Sequence, residues 1–264
     1  MKELLLFIAV GLLVVVGGLA ALQAGFLAPV PGLGMILGTS AVLQWWVALR
    51  LHRAWKAMSP SQQAANPTFN LMRWLFTLGG IFLTIDIFPH VVLIMAGMDE
   101  QTVTIAHWVA HLFLFAYLII GVRFAVSLFN PKWKNGATSF VVLVSLIALS
   151  VSVIRPDYLV HIPGSDLPLL SSDPLFAVFN MISNVTSVGI FGLYLIVMGL
   201  MAGNWSVRIR AILMGMGFIA LVTSTYLIHY SHSQYTAFLI FISVISWSLF
   251  TGISALYAAK WRLS

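Results

Sequence analysis

Long apolar stretches alternate with short polar breaks along the whole chain. The breaks are rich in Pro, Gly, Asn and Ser, which favour loops, and most stretches reach the about 20 residues that a helix needs to cross a bilayer. The pattern predicts an all-α polytopic membrane bundle of eight transmembrane helices. Their approximate bounds are 4–27, 33–56, 69–97, 101–129, 137–155, 174–202, 207–231 and 235–259. No polar stretch is long enough for a separate soluble domain, so residues 1–264 are predicted to form a single integral membrane domain.

Composition supports the membrane assignment and excludes several kinds of site. The chain is 61% hydrophobic and only 8% charged, whereas soluble proteins are about 45–50% apolar. It has no Cys, which excludes disulfides, thiolate metal sites and covalently attached haem. No Lys lies in the interior of a predicted span, as a retinal pigment would require. The sequence also has neither a serine-hydrolase G-x-S-x-G motif nor a nucleotide-binding loop.

The charged residues are separated by sign across the predicted membrane. Of the 13 Lys and Arg residues, only Arg155 falls outside one common set of helix ends. Basic residues favour the cytoplasmic side, so both termini are predicted to be cytoplasmic, in the plasma membrane of a bacterium or archaeon. The net charge of +6 is then explained by topology, and no nucleic-acid partner is expected. The predicted outer side carries Asp99, Glu100, Asp157, Asp166 and Asp173.

Three pairs of ionisable side chains interrupt the apolar helices toward the predicted outer side. The pairs are Asp86 with His90 on the third span, His107 with His111 on the fourth, and His229 with His232 at the end of the seventh. Residues three or four apart lie on the same face of a helix, so each pair is directed to one side. Asp86 is placed near mid-membrane, and the histidines lie between it and the outer rim. His161, in an outer loop, is positioned to cap the group, whereas His52 lies in a basic cluster on the cytoplasmic side.

A carboxylate near mid-membrane costs several kcal/mol unless it is paired, protonated or bound to metal. Imidazoles bind zinc, copper and iron, including haem iron. The sequence therefore predicts a site for a transition metal ion (Cu, Fe or Zn), with Asp86 as a carboxylate ligand or proton acceptor. The expected metal ligands are His90, His107, His111, His229 and His232.

Other side chains are candidates for supporting such a site. Amide and hydroxyl groups on the sixth span can hydrogen-bond the histidines or join helices. These residues are Asn180, Asn184, Thr186 and Ser187. Met95 and Met98 are potential Cu(I) ligands if they face the same cavity. Pro89 lies between Asp86 and His90, where the loss of a backbone donor predicts a kink that shapes a cavity.

The fourth span contains the segment His107-Trp-Val-Ala-His111-Leu-Phe-Leu directly after an outer loop. This segment resembles the H-M-x-x-H-L-L-L helix of the copper-linked cytochrome oxidase assembly proteins of the caa3 type. Trp108 stands where that motif has Met, and the resemblance covers only part of one helix. It implies a copper chaperone or oxidase-assembly factor as one candidate function.

The histidine pairs also favour an integral membrane metal-dependent enzyme, in particular an oxidoreductase acting on a small or lipophilic substrate. Its expected partners are the lipid bilayer and other membrane subunits. Haem b is an alternative cofactor, which would make the protein a membrane cytochrome in electron transfer. The candidate axial pairs are His90 with His107 and His111 with His229. The four-residue spacing of His107 and His111 instead favours chelation of one ion.

A proton-coupled transporter or pH sensor belongs to a different functional class. A ladder of titratable groups from the outer rim to Asp86 could carry protons or respond to pH. Below Asp86, however, the third span offers few polar groups, chiefly Thr84, two glycines and Arg73. An outward-open site is therefore better supported by the sequence than a complete transmembrane path.

Overall fold

The structure is a computed structural model, and it describes residues 29–161, 167–230 and 234–263 together with six single positions among the first 16 residues. Apart from those positions, the predicted first span lies outside the described residues. Within the described part of the chain, six helices are long and apolar enough to cross a membrane. The prediction of a multi-pass helical membrane protein is confirmed to that extent. The count of eight spans and the cytoplasmic location of the termini stay predictions.

The described ranges form eight helices, seven of which are long. They are α1 (Pro29–Ala57), α2 (Pro60–Ala64), α3 (Pro67–Met95), α4 (Glu100–Phe129), α5 (Lys134–Ile154), α6 (Pro174–Met201), α7 (Trp205–Tyr230) and α8 (Gln234–Leu263). The seven long helices coincide with the predicted second to eighth spans to within a few residues. In α8 the apolar stretch that is described is shorter and runs from Ile242 to Tyr257.

Local chemistry fixes the turn between α3 and α4. Gly97 has a φ of 67°, a left-handed conformation that favours glycine. The N–H groups of Gly97 and of the next residue bond back to carbonyls in the last turn of α3, each at 3.0 Å, which closes that helix. Asp99 then caps α4 by accepting from the backbone N–H of Thr102 at 2.9 Å. Hydrogen bonds from the side chain and backbone of Thr102 lower the pKa of the Asp99 carboxyl.

The seven long helices pack in a closed ring. Each contacts the next in the order α1, α3, α4, α5, α6, α7 and α8, and α8 packs back against α1. The helices α6 and α7 approach closely, because a Cβ on Gly192 would lie only 2.9 Å from the backbone oxygen of Gly215. Large side chains fill the interior, among them the fully buried Phe76, Tyr117 and Trp247. The interior of the ring is therefore where polar side chains can meet away from lipid.

Two of the helices widen locally into a π-helical turn, at Phe88–Val92 in α3 and at Val185–Gly189 in α6. The turn in α3 contains Pro89, which lacks the N–H that a regular helical bond needs. The sequence predicts a kink at Pro89, and the structure has a wider π-helical turn there, in which His90 is buried. Such turns interrupt α-helices frequently at functional sites.

A β-hairpin after α5 covers one end of the bundle. Its strands, β1 (Tyr158–Val160) and β2 (Leu169–Ser171), are antiparallel. Leu170 on β2 packs with Val91 of α3 and Val103 of α4 in a small apolar cluster. We call this end, where α3 finishes and α4 begins, the histidine end. The opposite end, where α1 finishes and α3 begins, is called the basic end.

Single cysteines provide a direct test of the predicted orientation, because the chain has no Cys of its own. Gln101 lies at the histidine end and Ser61 at the basic end, and both residues are exposed. Gln101→Cys should react with a membrane-impermeant maleimide added to intact cells, whereas Ser61→Cys should react only after permeabilisation. The reverse labelling pattern would place the histidine end inside the cell.

Candidate metal centre

Two helices bring an aspartate and three histidines together inside the ring. Asp86 and His90 lie on α3 and His107 and His111 on α4, and each of the four is at most 7% exposed. His90 Nε2 lies 3.6 Å from Asp86 Oδ1. The ring centres of His90 and His107 are 5.1 Å apart, and those of His107 and His111 are 4.1 Å apart. The pairs on the third and fourth spans thus form one cluster.

Three residues of this cluster form a close set of potential metal ligands. One ligand atom from each of Asp86, His90 and His107 lies within 4.8 Å of the other two. Ligand atoms around a tetrahedral ion with bonds of about 2.0–2.1 Å are about 3.4 Å apart. Binding an ion between them therefore requires the widest of these separations to close by at most about 1.4 Å, which side-chain rotation can supply.

Asp157 orients the His107 ring from outside the two helices. It lies just before β1, is 1% exposed, and its Oδ2 is 2.6 Å from His107 Nδ1. Because a carboxylate accepts, Nδ1 carries the proton and donates, which leaves Nε2 with the lone pair that can bind a metal. Thr104 donates from Oγ1 to the backbone oxygen of Asp157 at 3.2 Å, and this bond ties the loop to α4.

Asp157 is a candidate that the sequence pattern does not reveal. In the sequence it belongs to the acidic residues of the predicted outer side, and it is separated from His107 by 50 positions. No helical spacing connects the two residues. The local sequence shows that Asp157 directly follows Pro156 at the end of a helix. This indicates a defined turn, but it does not indicate that His107 is the partner of Asp157.

The tautomer of His111 is fixed by its own helix. Its Nδ1 lies 3.0 Å from the backbone oxygen of His107. Since a carbonyl oxygen only accepts, Nδ1 donates and Nε2 keeps its lone pair. The ring packs against Phe176 of α6 and Phe115 of α4, with centres 4.9 and 5.9 Å away. His111 is therefore held in an apolar environment with one nitrogen able to bind a ligand.

The carboxylate of Asp86 is incompletely satisfied. Its Oδ1 accepts no hydrogen bond from the described residues, and His90 Nε2 approaches it only to 3.6 Å. A buried carboxylate of this kind costs several kcal/mol unless a proton, a cation or a water molecule compensates it. The environment of Asp86 therefore requires a further partner.

A cavity of about 50 Å³ lies beside the cluster in the interior of the ring. All four cluster residues line it, and the other helices contribute both apolar and polar side chains. Further polar lining residues are Asn180, Ser224, Thr225 and Trp247. The volume has room for a few water molecules or a small ligand. The cluster thus borders a small internal space that α1, α6, α7 and α8 complete.

The polar residues predicted on the sixth span have mixed outcomes. Asn180 lines the cavity. Asn184 donates from Nδ2 to Asn180 Oδ1 at 3.0 Å. Thr186 and Ser187 instead donate to backbone carbonyls of their own helix. Only the amide pair therefore belongs to the surroundings of the cluster.

Several other residues singled out in the sequence lie away from the cavity. Met95 and Met98 are 57% and 43% exposed, and neither lines it. His161 is exposed. At the basic end, His52 Nδ1 accepts from Arg73 Nη1 at 2.9 Å. None of these four residues is part of the observed cluster.

The histidines predicted on the seventh span fall at the limit of the described structure. The side chain of His229 and the whole of His232 lie outside the described residues. The helix α7 does line the cavity through Ser224 and Thr225. Both histidines therefore stay predicted ligands.

Buried polar side chains continue from the cavity toward the basic end. Trp247, which lines the cavity, donates from Nε1 to Tyr117 Oη at 3.1 Å. Gln44 donates from Nε2 to Ser248 Oγ at 3.4 Å, and no described residue donates to Gln44 Oε1. The sequence of the third span alone suggests that polar groups end near Asp86. In the structure, α1, α4 and α8 place further polar side chains between Asp86 and the basic end.

The function of this cluster has to be argued from its own chemistry. No known family model matches the chain, and comparisons with curated proteins and with solved structures give no match. The resemblance of the segment from His107 to Leu114 to a copper-assembly helix therefore rests on those residues alone.

Replacing Asp157 with Asn should weaken metal binding. The amide oxygen can still accept from His107 Nδ1, but the negative charge that strengthens the imidazole as a ligand is lost, and such changes cost about 10–100-fold in metal affinity. Asp173→Asn is the matched control, because Asp173 caps α6 at the same end by accepting from Leu175 N–H at 2.8 Å. Competition with a chelator of known affinity measures the difference. Equal affinities for Asp157→Asn and the wild type would contradict this role.

Proposed function

We propose that this protein binds one transition metal ion inside the membrane, between α3 and α4. Asp86, His90 and His107 are the proposed ligands. The observation that carries the proposal is the buried set of three ligand atoms within 4.8 Å of one another, which includes a carboxylate left incompletely satisfied by the described residues. His111, His229 and His232 are proposed to complete the coordination, alone or together with water in the cavity.

Charge balance supports a divalent ion at this position. Two carboxylates, Asp86 and Asp157, are buried beside histidines that are neutral when they act as ligands. One divalent cation offsets both negative charges, whereas an apolar environment makes them costly without compensation. In the metal-free protein, the same charges require protons on the carboxylates or imidazoles. Metal binding is then accompanied by proton release.

The donor set favours Zn, Cu or Fe. Imidazole nitrogen combined with a carboxylate oxygen suits these ions, and the chain offers no thiolate. Haem b is less well supported, because the cavity of about 50 Å³ is far smaller than a porphyrin. The rings of His90 and His107, 5.1 Å apart, also leave no room for a porphyrin between them. A single ion chelated by neighbouring helices is the better fit.

We propose that the ion is Cu or Fe and supports redox chemistry, which Zn cannot do, so that the protein acts as a membrane-bound metal-dependent oxidoreductase. The cavity is small and mostly apolar and lies inside the ring, so a small or lipophilic substrate is the class that fits. Other membrane subunits are the proposed electron-transfer partners. Copper delivery to an oxidase is the alternative that the segment from His107 to Leu114 favours. A chaperone must release its ion to a partner, whereas an enzyme keeps it through turnover.

We further propose eight spans in the plasma membrane of a bacterium or archaeon, with both termini cytoplasmic. The concentration of Lys and Arg at one set of helix ends supports this orientation. The metal would then lie toward the outer face of the membrane, beneath the hairpin formed by β1 and β2.

The purified protein should contain a single transition metal ion per chain by elemental analysis. His107→Ala should abolish this content, because it removes a ligand that Asp157 orients. His52→Ala is the matched control, since His52 bonds Arg73 at the basic end, and it should retain the metal. Optical and paramagnetic resonance spectra then distinguish copper or iron from zinc, and a Soret band would instead establish haem. Unchanged metal content in His107→Ala would overturn the proposed site.

Proton handling is the second candidate function, and the polar residues beyond the cavity favour it. The bonded pairs Trp247–Tyr117 and Gln44–Ser248 extend polar groups from the cavity toward the basic end. Internal waters between such groups would supply a continuous hydrogen-bonded route. On this hypothesis Asp86 is a proton acceptor rather than a metal ligand.

Asp86→Asn separates the two candidates. If metal binding is the function, this variant should lose most of its metal, and wild-type protein in liposomes should carry no more proton flux than empty liposomes. Asp99→Asn is the control, because Asp99 is an exposed acid at the same end of the bundle. A proton flux in the wild type that Asp86→Asn abolishes and Asp99→Asn preserves would support proton handling instead.

A further inference from the structure

A second cavity, distinct from the one beside the histidines, lies at the basic end of the ring. Its volume is about 320 Å³, within the range of small-molecule binding sites, and it shares no lining residue with the first. Its floor consists of buried apolar side chains, namely Phe69, Met72, Phe124 and Met214. Its rim includes Leu128 and Val207, which are 50% and 44% exposed. The cavity is therefore an apolar chamber with an accessible apolar mouth.

Arg210 is the charged residue that lines this cavity. It is half-buried on α7, and its Nε donates to the backbone oxygen of Ser206 at 3.1 Å. Among the described residues, no carboxylate forms an ion pair with it. In the sequence, Glu3 is the one acidic residue predicted on this side of the membrane. The apolar chamber thus has a guanidinium at its wall without an anionic partner in the described structure.

We propose that this cavity binds the acyl chain of an anionic lipid, with the head group on Arg210 and the chain against the apolar floor. A guanidinium donates two parallel hydrogen bonds to a carboxylate or phosphate. Its position at the basic end suits lipids of the inner leaflet, where anionic head groups concentrate near basic residues. Ser254, which is 4% exposed and lines the cavity, donates from Oγ to the backbone oxygen of Arg210 at 2.8 Å, and this bond holds that part of α7 against α8.

The neighbouring Arg208 differs from Arg210 because its guanidinium does not line the cavity. Arg208 lies one half-turn away on α7 and donates twice to the backbone oxygen of Ala202, at 3.1 and 2.9 Å. Its guanidinium lies 6.0 Å from the ring centre of Trp205, and it does not line the cavity. Arg208 therefore contributes to the general positive charge of this end but not to the chamber, which makes it the matched control.

Lipid binding can be measured by native mass spectrometry of the purified full chain in a neutral detergent. The probes are phosphatidylglycerol, palmitate and the net-neutral phosphatidylcholine, each added at the same concentration. We expect the two anionic probes to be retained more strongly than phosphatidylcholine. If phosphatidylglycerol is retained more tightly than palmitate, the acyl chain belongs to a membrane phospholipid. If palmitate is retained more tightly, the ligand is a free fatty acid. Equal retention of all three probes overturns the proposal.

Substitutions of the two arginines and of residues that line the chamber locate the binding. Arg210→Gln should weaken the anionic probes about ten-fold, equivalent to roughly 1.4 kcal/mol, and leave phosphatidylcholine unchanged, while Arg208→Gln should change neither. Met214→Trp should fill the chamber and reduce retention of every probe, with circular dichroism and gel filtration confirming that it folds. If that variant does not fold, Ala211→Leu fills the same chamber with less volume. Equal effects of the two arginine substitutions, or no effect of a folded filling variant, would overturn the proposal.

Discussion

Asp86 lies in the apolar interior of a membrane bundle, where a carboxylate without a partner costs several kcal/mol. Much of the histidine end can be understood from this cost. His90 follows one turn later on a helix that widens around Pro89, and α4 places His107 close enough for a shared ligand. Either a metal ion or a proton can compensate the charge. The two functional hypotheses are therefore competing answers to one electrostatic problem.

The ring holds two chambers of different character, one bordered by the ionisable cluster and one lined mainly by apolar side chains. Along α7, Leu221 lines the first and Met214 lines the second, which places them about two helical turns apart. The fully buried Phe218 lies between these positions on the same helix. Packed side chains therefore separate a ligand in one chamber from the other chamber. The cluster with ionisable groups can therefore stay separated from lipid while the apolar chamber exchanges with the membrane.

The sequence predicts the parts of this structure that depend on neighbours along the chain. Helix bounds follow from proline, glycine and capping acids such as Asp99, and the orientation of His107 with His111 follows from helical periodicity. The contact between His107 and Asp157 could not be predicted, because it depends on where a hairpin 50 positions away docks. The polar residues toward the basic end were missed for a related reason. They come from three different helices, so no single span reveals them.

The link between His107 and Asp157 also sets an order of assembly. The chain is synthesised from its N-terminus, so α3 and α4 enter the membrane before the segment that carries Asp157 has been made. During that interval the imidazole lacks its carboxylate, and the hairpin that covers the cluster does not yet exist. The site therefore cannot form before α5 has crossed the membrane and the loop has folded back, and the cavity beside it also needs the later helices α6, α7 and α8. Correct loading would depend on biogenesis as much as on affinity, and an ion captured early would meet an incomplete site.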